Sequence, residues 1–485
     1  MSLVQVVSDT GVLADVSAPA VTFRDLKIAT LHAADSTPRR RLRFSSNFLP
    51  LAGFTAGTRF EARSLGFDKG IELTYAPQGA QKIHVRSYGN RRQSNPLETQ
   101  IDLQNQETIN ASIPAYTEAC RWKIEHGRII ISPMPNRVFT IGRSMKKRPL
   151  SERFEAFVGM TSGVDIRLME QHGFTVRGVL EYRPNEARDT SDRTETGALN
   201  ALANGRHIKV LANLDVYEAD WNAIAKAMGS RDGVIACAHY SLQCDDFTNV
   251  KANSLKERSI AECTSTIDMV VPMLKGVDAL RPATVVVEQV PGFLTSQAAT
   301  ILCLQLRRMG YQVTSTVLDG ADFGGLTGRK RAYIVASVWS GFAFPQPTGR
   351  NETPIHDILG SEIDQLRDIA HTSTMGKAIE SGRARILRPG QTVCPTITKS
   401  QIRQAKDSVV IDDGKGGLRF IDGPCSKRLM GLDAVNTSLV TSDIEAEIVG
   451  QSVEGPMHAA LMRAVHQHIA INTGEPVAAI NASLF

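Results

Sequence analysis

No run of about 18 consecutive apolar residues occurs in the 485-residue sequence, so no membrane-spanning helix is expected. The N-terminus lacks a positively charged stretch followed by an apolar one, the layout of a secretion signal. Paired cysteine spacings are missing as well. Cys120, Cys237, Cys244, Cys263, Cys303, Cys394 and Cys425 are odd in number, and no two stand as CxxC. A disulfide framework and a zinc site are therefore not expected, no metal is assigned, and reduced thiols point to a cytoplasmic protein. Most of these thiols read as small core residues, and spacing alone does not choose a nucleophile among them. Internal repeats and low-complexity tracts are absent too. What is present is ordinary for a globular chain: 42% apolar and 22% charged residues, with length for two or three domains.

The net charge of +5 is modest but unevenly spread. Residues 1–150 hold 21 Lys and Arg against 12 Asp and Glu, a surplus of +9, whereas the remainder holds 34 against 38. A basic front end is what a polyanion-binding surface requires, with simple solvation of a small domain as the lesser alternative.

Residues 1–36 are polar and aperiodic and read as a loosely ordered arm. The cluster Arg39, Arg40, Arg41 and Arg43 then opens a small basic β-rich domain over 37–145, with short strands expected at 42–44, 58–62, 71–75, 82–88, 121–124 and 128–131. His126-Gly127 reads as a hairpin turn. Lys146, Lys147, Arg148 and Pro149 mark a linker. Beyond it, apolar runs at 153–158, 176–180, 208–212, 233–237, 284–288, 312–318 and 331–337 alternate with longer helical stretches. That alternation predicts an α/β, doubly wound, mostly parallel sheet with helices on both faces.

The first of these strands runs Phe157-Val158-Gly159-Met160-Thr161-Ser162-Gly163 into a helix, and the second ends at Glu181. Glycines at a strand-to-helix turn let a cofactor approach free backbone N–H groups, and an acidic residue about 20 positions later suits ribose hydroxyls. Many nucleotide-binding enzymes share this layout.

The later motifs are more specific. Gln243-Cys244-Asp245-Asp246-Phe247-Thr248, Glu288-Gln289-Val290, Thr327-Gly328-Arg329-Lys330-Arg331, Pro395-Thr396-Ile397-Thr398, Arg428-Leu429-Met430-Gly431-Leu432 and Gly450-Gln451-Ser452-Val453 follow one another in order. Together with the opening loop, this series resembles the DNA cytosine-5 methyltransferase family over roughly residues 153–470. The stretch Phe48–Gly57 with the strands after it is similar to the swapped-hairpin DNA-binding folds of the AbrB and SymE type.

The resemblance implies a Rossmann-like, S-adenosylmethionine-dependent methyltransferase domain with a catalytic core over 151–340, a short target-recognition region over 341–393 and a C-terminal part over 394–475. It implies that Phe157, Gly159, Thr161, Gly163, Glu181, Asp215 and Ser452 hold the cofactor. Cys244, Glu288, Arg329 and Arg331 would be catalytic. The partner would be double-stranded DNA, contacted by Arg39, Arg40, Arg41, Lys251 and Lys256, in a cytoplasmic, bacterial, phage or mobile-element setting of the restriction-modification kind. The sequence departs from the family pattern at Gln243, Asp245, Gln289, Thr327, Thr161-Ser162 and Cys425, which bears on rate and fine geometry.

The chemistry explains the residue types. Cytosine C5 is a poor nucleophile, and a thiolate added at C6 turns C5 into an enamine-like carbon. A carboxylic acid at N3 and a guanidinium at O2 stabilise the charge that this attack creates, duties suited to Glu288 and Arg331. Cys237 is the rival thiol, but it falls inside an apolar strand. The target base must leave the helical stack. Two other readings use the same residues: methylation of transfer RNA, and a DNA-binding regulator whose catalytic half has decayed. A nicotinamide dehydrogenase would require the downstream motifs to be coincidence.

Overall fold

The computed structural model describes residues 4–7, 13–16, 20–32, 38–87, 97–186, 189–248, 253–402 and 408–474. Two compact units divide the chain, residues 1–140 and 141–485.

Unit 1 is β-rich, as expected. A six-stranded antiparallel sheet takes Thr22–Lys27, Ala119–Glu125, Arg128–Pro133, Ile71–Tyr75, Arg59–Ser64 and Gln81–Lys82 in that spatial order. A four-stranded sheet takes Ala29–His32, Pro38–Ser45, Leu97–Leu103 and His84–Ser87. Alternation sets the register: Cys120, Trp122 and Ile124 turn inward while Arg121 and Lys123 turn out, the period of a strand buried on one face. Trp122 stacks on Phe44 with ring centroids 5.0 Å apart. The hairpin at His126-Gly127 is present, with Glu125 paired to Arg128 and Gly127 at φ +70°. The stretch from Phe48 forms a single helical turn, Phe48–Leu51.

Three expectations change here. The loosely ordered arm over 1–36 contains Thr22–Lys27, which pairs along its whole length with Ala119–Glu125. Its polar residues lie on an edge strand with one exposed face, so they carry no strong apolar alternation. The basic cluster is likewise committed within the unit. Arg40 donates to the carbonyls of Pro114 and Ile113, each at 2.7 Å, and Arg41 pairs with Asp102. Both guanidiniums are thus occupied by the protein itself. The linker is a correction as well. Arg137–Lys146 is a helix, and Arg148 is 2% exposed, donating to the carbonyls of Glu152, Arg231 and Val234. A guanidinium has five N–H donors, and several backbone carbonyls can hold it out of water.

Unit 2 is built on seven strands: β1 (Glu155–Gly159), β2 (Thr175–Glu181), β3 (Val210–Asn213), β4 (Ile235–Ser241), β5 (Pro282–Gln289), β6 (Gln312–Asp319) and β7 (Lys330–Ser337). Each lies at one of the apolar runs. Their spatial order is β3-β2-β1-β4-β5-β7-β6, all parallel except the reversed β7. Helices cover both faces. Val164–Gln171 and Gly455–Thr473 contribute Ile166, Met169, Leu461, Val465 and Ile469 to one apolar core. Trp221–Met228, Val270–Leu280 and Gln297–Arg308 build the other. β5 is buried at every residue, as a central strand covered on both faces must be.

Residues 355–366 and 385–420 add short helices and the three-stranded sheet Arg385–Leu387, Val409–Asp412 and Leu418–Phe420. Ile355, Leu359, Ile363 and Leu387 share a core with Leu429, Ile448 and Val449. No helix among the described residues is long and apolar enough to cross a membrane.

Candidate active site

The strand order reverses direction between β1 and β4, and open α/β sheets bind ligands in the crevice at the carboxyl ends of such strands. A cavity of about 310 Å³ opens there, lined by the ends of β1 (Met160, Thr161, Ser162), β2 (Glu181), β4 (Ser241, Gln243, Cys244) and β5 (Glu288, Gln289). A second cavity of about 510 Å³ shares Met160, Tyr182, Gln243 and Met269 with it and adds Leu180, Asp215 and Val216. A roomier hollow of about 600 Å³ lies between the outer helices near Trp221 and Ile301, away from the strand ends.

Cys244 stands on the turn after β4. Its carbonyl accepts the N–H groups of Phe247 and Thr248 at 2.9 and 3.0 Å, which fixes the loop. Gln289 clamps that loop to β5, its amide donating to the carbonyls of Leu242 (2.9 Å) and Gln243 (3.0 Å). Gly292 is required close by, because a Cβ there would lie 2.5 Å from the Phe247 carbonyl oxygen. The thiol is partly exposed, and burial first, then Asp245, pushes its pKa above the ordinary value while Arg331 and Lys399 act oppositely. Lys399 faces Asp245 at 3.6 Å and lines the cavity. Cys237 is fully buried in β4, and its pKa is raised by that burial.

Glu288, at the end of β5, is 4% exposed. Arg331 reaches it from β7, Nε to Oε1 at 2.6 Å, and Ser241 donates to Oε2 at 2.5 Å. Antiparallel pairing of β5 with β7 brings the two side chains together. Cys244, Glu288 and Arg331 therefore share one cavity wall.

Arg329 does not join them. It is 2% exposed and absent from the cavity lining, and it donates to the carbonyls of Ile397 (2.8 Å) and Gly450 (3.0 Å). Arg329 lies just before β7 and Arg331 within it, and the two side chains reach different neighbours. Arg329 thus ties together two motifs read separately in the sequence, Pro395–Thr398 and Gly450–Val453. Their contact is tight: a Cβ on Gly450 would lie 2.3 Å from the Thr398 carbonyl oxygen.

The turn after β1 is strained. Met160, Ser162 and Gly163 have φ of +63°, +53° and +81°. Glu181 holds it, Oε1 accepting the Thr161 N–H (2.9 Å) and Oε2 the Ser162 N–H (3.0 Å), and burial outweighs these bonds to raise its pKa to about 7. Thr161 Oγ1 adds a third donor to Oε1 at 3.1 Å. Two carboxylate oxygens offer about four acceptor positions, so Oε2 retains capacity toward the cavity.

The remaining sequence-predicted residues divide. Ser452 lines the cavity, its hydroxyl donating to the Val449 carbonyl at 2.8 Å. Asp215 lines the second cavity and caps the Tyr217 N–H at 3.1 Å. Phe157 is fully buried, edge-on to Trp221 at 5.6 Å, and Gly159 lies against Phe157 and Tyr240; neither lines a cavity. Gly163 supports the turn from behind, where a Cβ would lie 2.5 Å from the Ala201 nitrogen. Lys256 donates to the Thr248 carbonyl at 2.7 Å, within the protein, and Lys251 lies outside the described residues. Ser241, Lys399 and the clamping role of Gln289 were missed. Gln289 stood out only as a departure from the family pattern.

Residues 244–416 match the family of C-5 cytosine-specific DNA methylases, so the match begins at Cys244 itself. No curated protein matches the chain. Among solved structures, the Entamoeba histolytica methyltransferase EhMeth is similar at a TM-score of 0.50 and 14% identity, covering 64% of this chain and 98% of its own. The Dnmt2 methyltransferase of S. pombe follows at 0.48 and 16%, covering 63% and 96%. The class is thus that of the methyltransferase fold, with a central, mostly parallel sheet. Within that class, the resemblance read from the motifs is borne out over residues 244–416, which match the model of C-5 cytosine-specific DNA methylases.

Proposed function

We propose that the chain is a DNA cytosine-5 methyltransferase that uses S-adenosylmethionine and forms a covalent bond between Cys244 and C6 of a flipped cytosine. The observation that carries this reading is the meeting of Cys244 with the Glu288–Arg331 pair in one cavity at the carboxyl ends of β4 and β5.

The two joined cavities fit the cofactor. Leu180, Val216 and Met269 offer apolar walls beside the Asp215 carboxylate, and the spare capacity of Glu181 Oε2 suits a hydroxyl. Glu181, Asp215, Met160 and Ser452 would hold it, and when bound it supplies an electrophilic methyl group. The chain's own residues do the rest. Cys244 loses its proton and its sulfur bonds to C6, placing negative charge on N3 and O2. Glu288 meets N3 as a hydrogen-bonded acid and Arg331 meets O2. C5 then accepts the methyl group, loses its proton to a base or water, and the S–C6 bond breaks to restore the ring and the thiolate.

DNA is favoured as substrate because the matching family acts on DNA and because residues 1–150 carry a basic surplus of +9. The domain reading keeps unit 1 as a DNA-affinity module and residues 341–393 as a short recognition region. The test offers tritiated S-adenosylmethionine with duplex DNA and with transfer RNA to wild type and Cys244→Ser. Label in DNA at C5 of cytosine, lost in the variant while DNA binding persists, is the expected result. A 5-fluorocytosine duplex should trap the wild-type chain covalently. Label in RNA alone, or an undiminished Cys244→Ser, refutes the proposal.

A further inference from the structure

Beneath the cavity floor three polar side chains from distant parts of the sequence converge. Asp165 comes from the helix after β1, His239 from β4 and His458 from the helix Gly455–Thr473. Asp165 is 2% exposed and both histidines are fully buried. Asp165 Oδ2 lies 3.4 Å from His239 Nε2, and Oδ1 lies 3.9 Å from His458 Nε2. One donor atom from each falls within 4.8 Å of the others, the single such group among the described residues.

The cluster is unfinished by hydrogen bonding alone. Neither ring nitrogen of His239 nor Nε2 of His458 has a hydrogen-bond partner. Buried nitrogens without partners are uncommon and call for an explanation such as an ion. An ordinary carboxylate–imidazolium pair does not supply one. Burial pushes His239 down to about 3 and His458 well below its usual value, and burial together with Glu288 and Glu181 pushes Asp165 up. A neutral imidazole presents one ring-nitrogen lone pair. The Tyr333 hydroxyl lies 3.4 Å from His458 Nδ1. In the tautomer whose Nδ1–H donates to that oxygen, the Nε2 lone pair faces Asp165, the arrangement that orients metal-binding histidines.

We propose that Asp165, His239 and His458 bind one divalent transition-metal ion of the zinc class, with a water molecule completing four-coordination. Zinc–nitrogen and zinc–oxygen bonds of about 2.0–2.1 Å put tetrahedral neighbours roughly 3.3 Å apart. The 3.4 Å separation of His239 Nε2 from Oδ2 meets that requirement, and His458 Nε2, 3.9 Å from Oδ1, must draw closer when the ion binds. The cation would sit against the cavity that Asp165 shares with Glu181, Glu288 and Arg331. Its effect is to pin the two helices on this face of the sheet to β4, directly below the turn at Met160–Gly163. The site does not depend on the methyl-transfer reading, so the two stand or fall separately.

The full chain, purified without an affinity tag and without chelator, should carry about one equivalent of zinc by elemental analysis. After stripping, cobalt(II) should restore saturable visible ligand-field absorption without a thiolate charge-transfer band. Zinc should raise the melting temperature of the stripped protein. Asp165→Asn should abolish stoichiometric binding, Tyr333→Phe should weaken it roughly tenfold, and Cys244→Ser should leave it unchanged. Stripped wild type that binds neither metal saturably overturns the proposal, even if Asp165→Asn fails to fold. A thiolate band overturns it too, because the ion would then sit on cysteine.

Discussion

The Cys244 thiol stands in opposing fields. Burial and the Asp245 carboxylate hold its pKa above the ordinary value, while Arg331 and Lys399 draw it down. Removing the negative charge at Asp245 must therefore lower that pKa, so more thiolate exists at any pH below the midpoint. For Asp245→Asn, the rate of alkylation by iodoacetamide plotted against pH should move toward lower pH, and for Lys399→Gln toward higher pH. An unmoved curve in both variants would show that neither charge reaches the sulfur. Gln289 acts on the same atom by position, because its amide holds the two carbonyls just before Cys244.

Among the elements, Arg329 matters as a staple from the residue just before β7 to the loop at Ile397 and the end of the helix Ser442–Gln451. Arg329→Met leaves the carbonyls of Ile397 and Gly450 buried without their donors, at about 1–3 kcal/mol each. A clear drop in melting temperature is expected, whereas Arg331→Met should spare stability more than activity. The reverse ranking would return Arg329 to the catalytic set. The seven strands were legible because central parallel strands are continuous apolar runs, as at Val285–Val287. The Cys244 loop and the Glu288 carboxylate beside it were legible through the order of their motifs. The destination of each charged side chain was not. Arg329 and Arg331 look equivalent in sequence, yet one holds backbone and the other faces Glu288. Arg148 read as linker and Arg40 as a DNA contact because a chain of letters carries no record of which carbonyls converge on a guanidinium. Asp165, His239 and His458 share no motif, and an expectation of no metal drawn from cysteine spacing does not see histidines brought together by the fold.

At the scale of the whole molecule, the two units assign charge and chemistry to different stretches of chain. The helix Arg137–Lys146 crosses the boundary and places Ile141 and Met145 in the core of unit 2. A deletion that preserves this core therefore begins at Asn136, whose side chain caps the Phe139 N–H at 3.0 Å. That shortened chain should keep a cooperative melting transition and bind S-adenosylmethionine like the full chain. Its affinity for DNA should fall, with the slope of log affinity against log salt reduced by roughly 0.9 for each phosphate that is no longer neutralised. The fall should be smaller than the basic surplus implies, since Arg40 and Arg41 are already engaged by Pro114, Ile113 and Asp102. An unchanged slope would remove unit 1 from polyanion binding.

The helix Gly455–Thr473 closes one face of the sheet with Leu461, Val465 and Ile469, more than 290 residues after β1 begins at Glu155. During synthesis the central strands therefore emerge long before the segment that covers them, and their apolar side stays open to solvent while translation continues. A nascent chain of this design depends on chaperones, or on late condensation of the sheet, until its closing helix has left the ribosome.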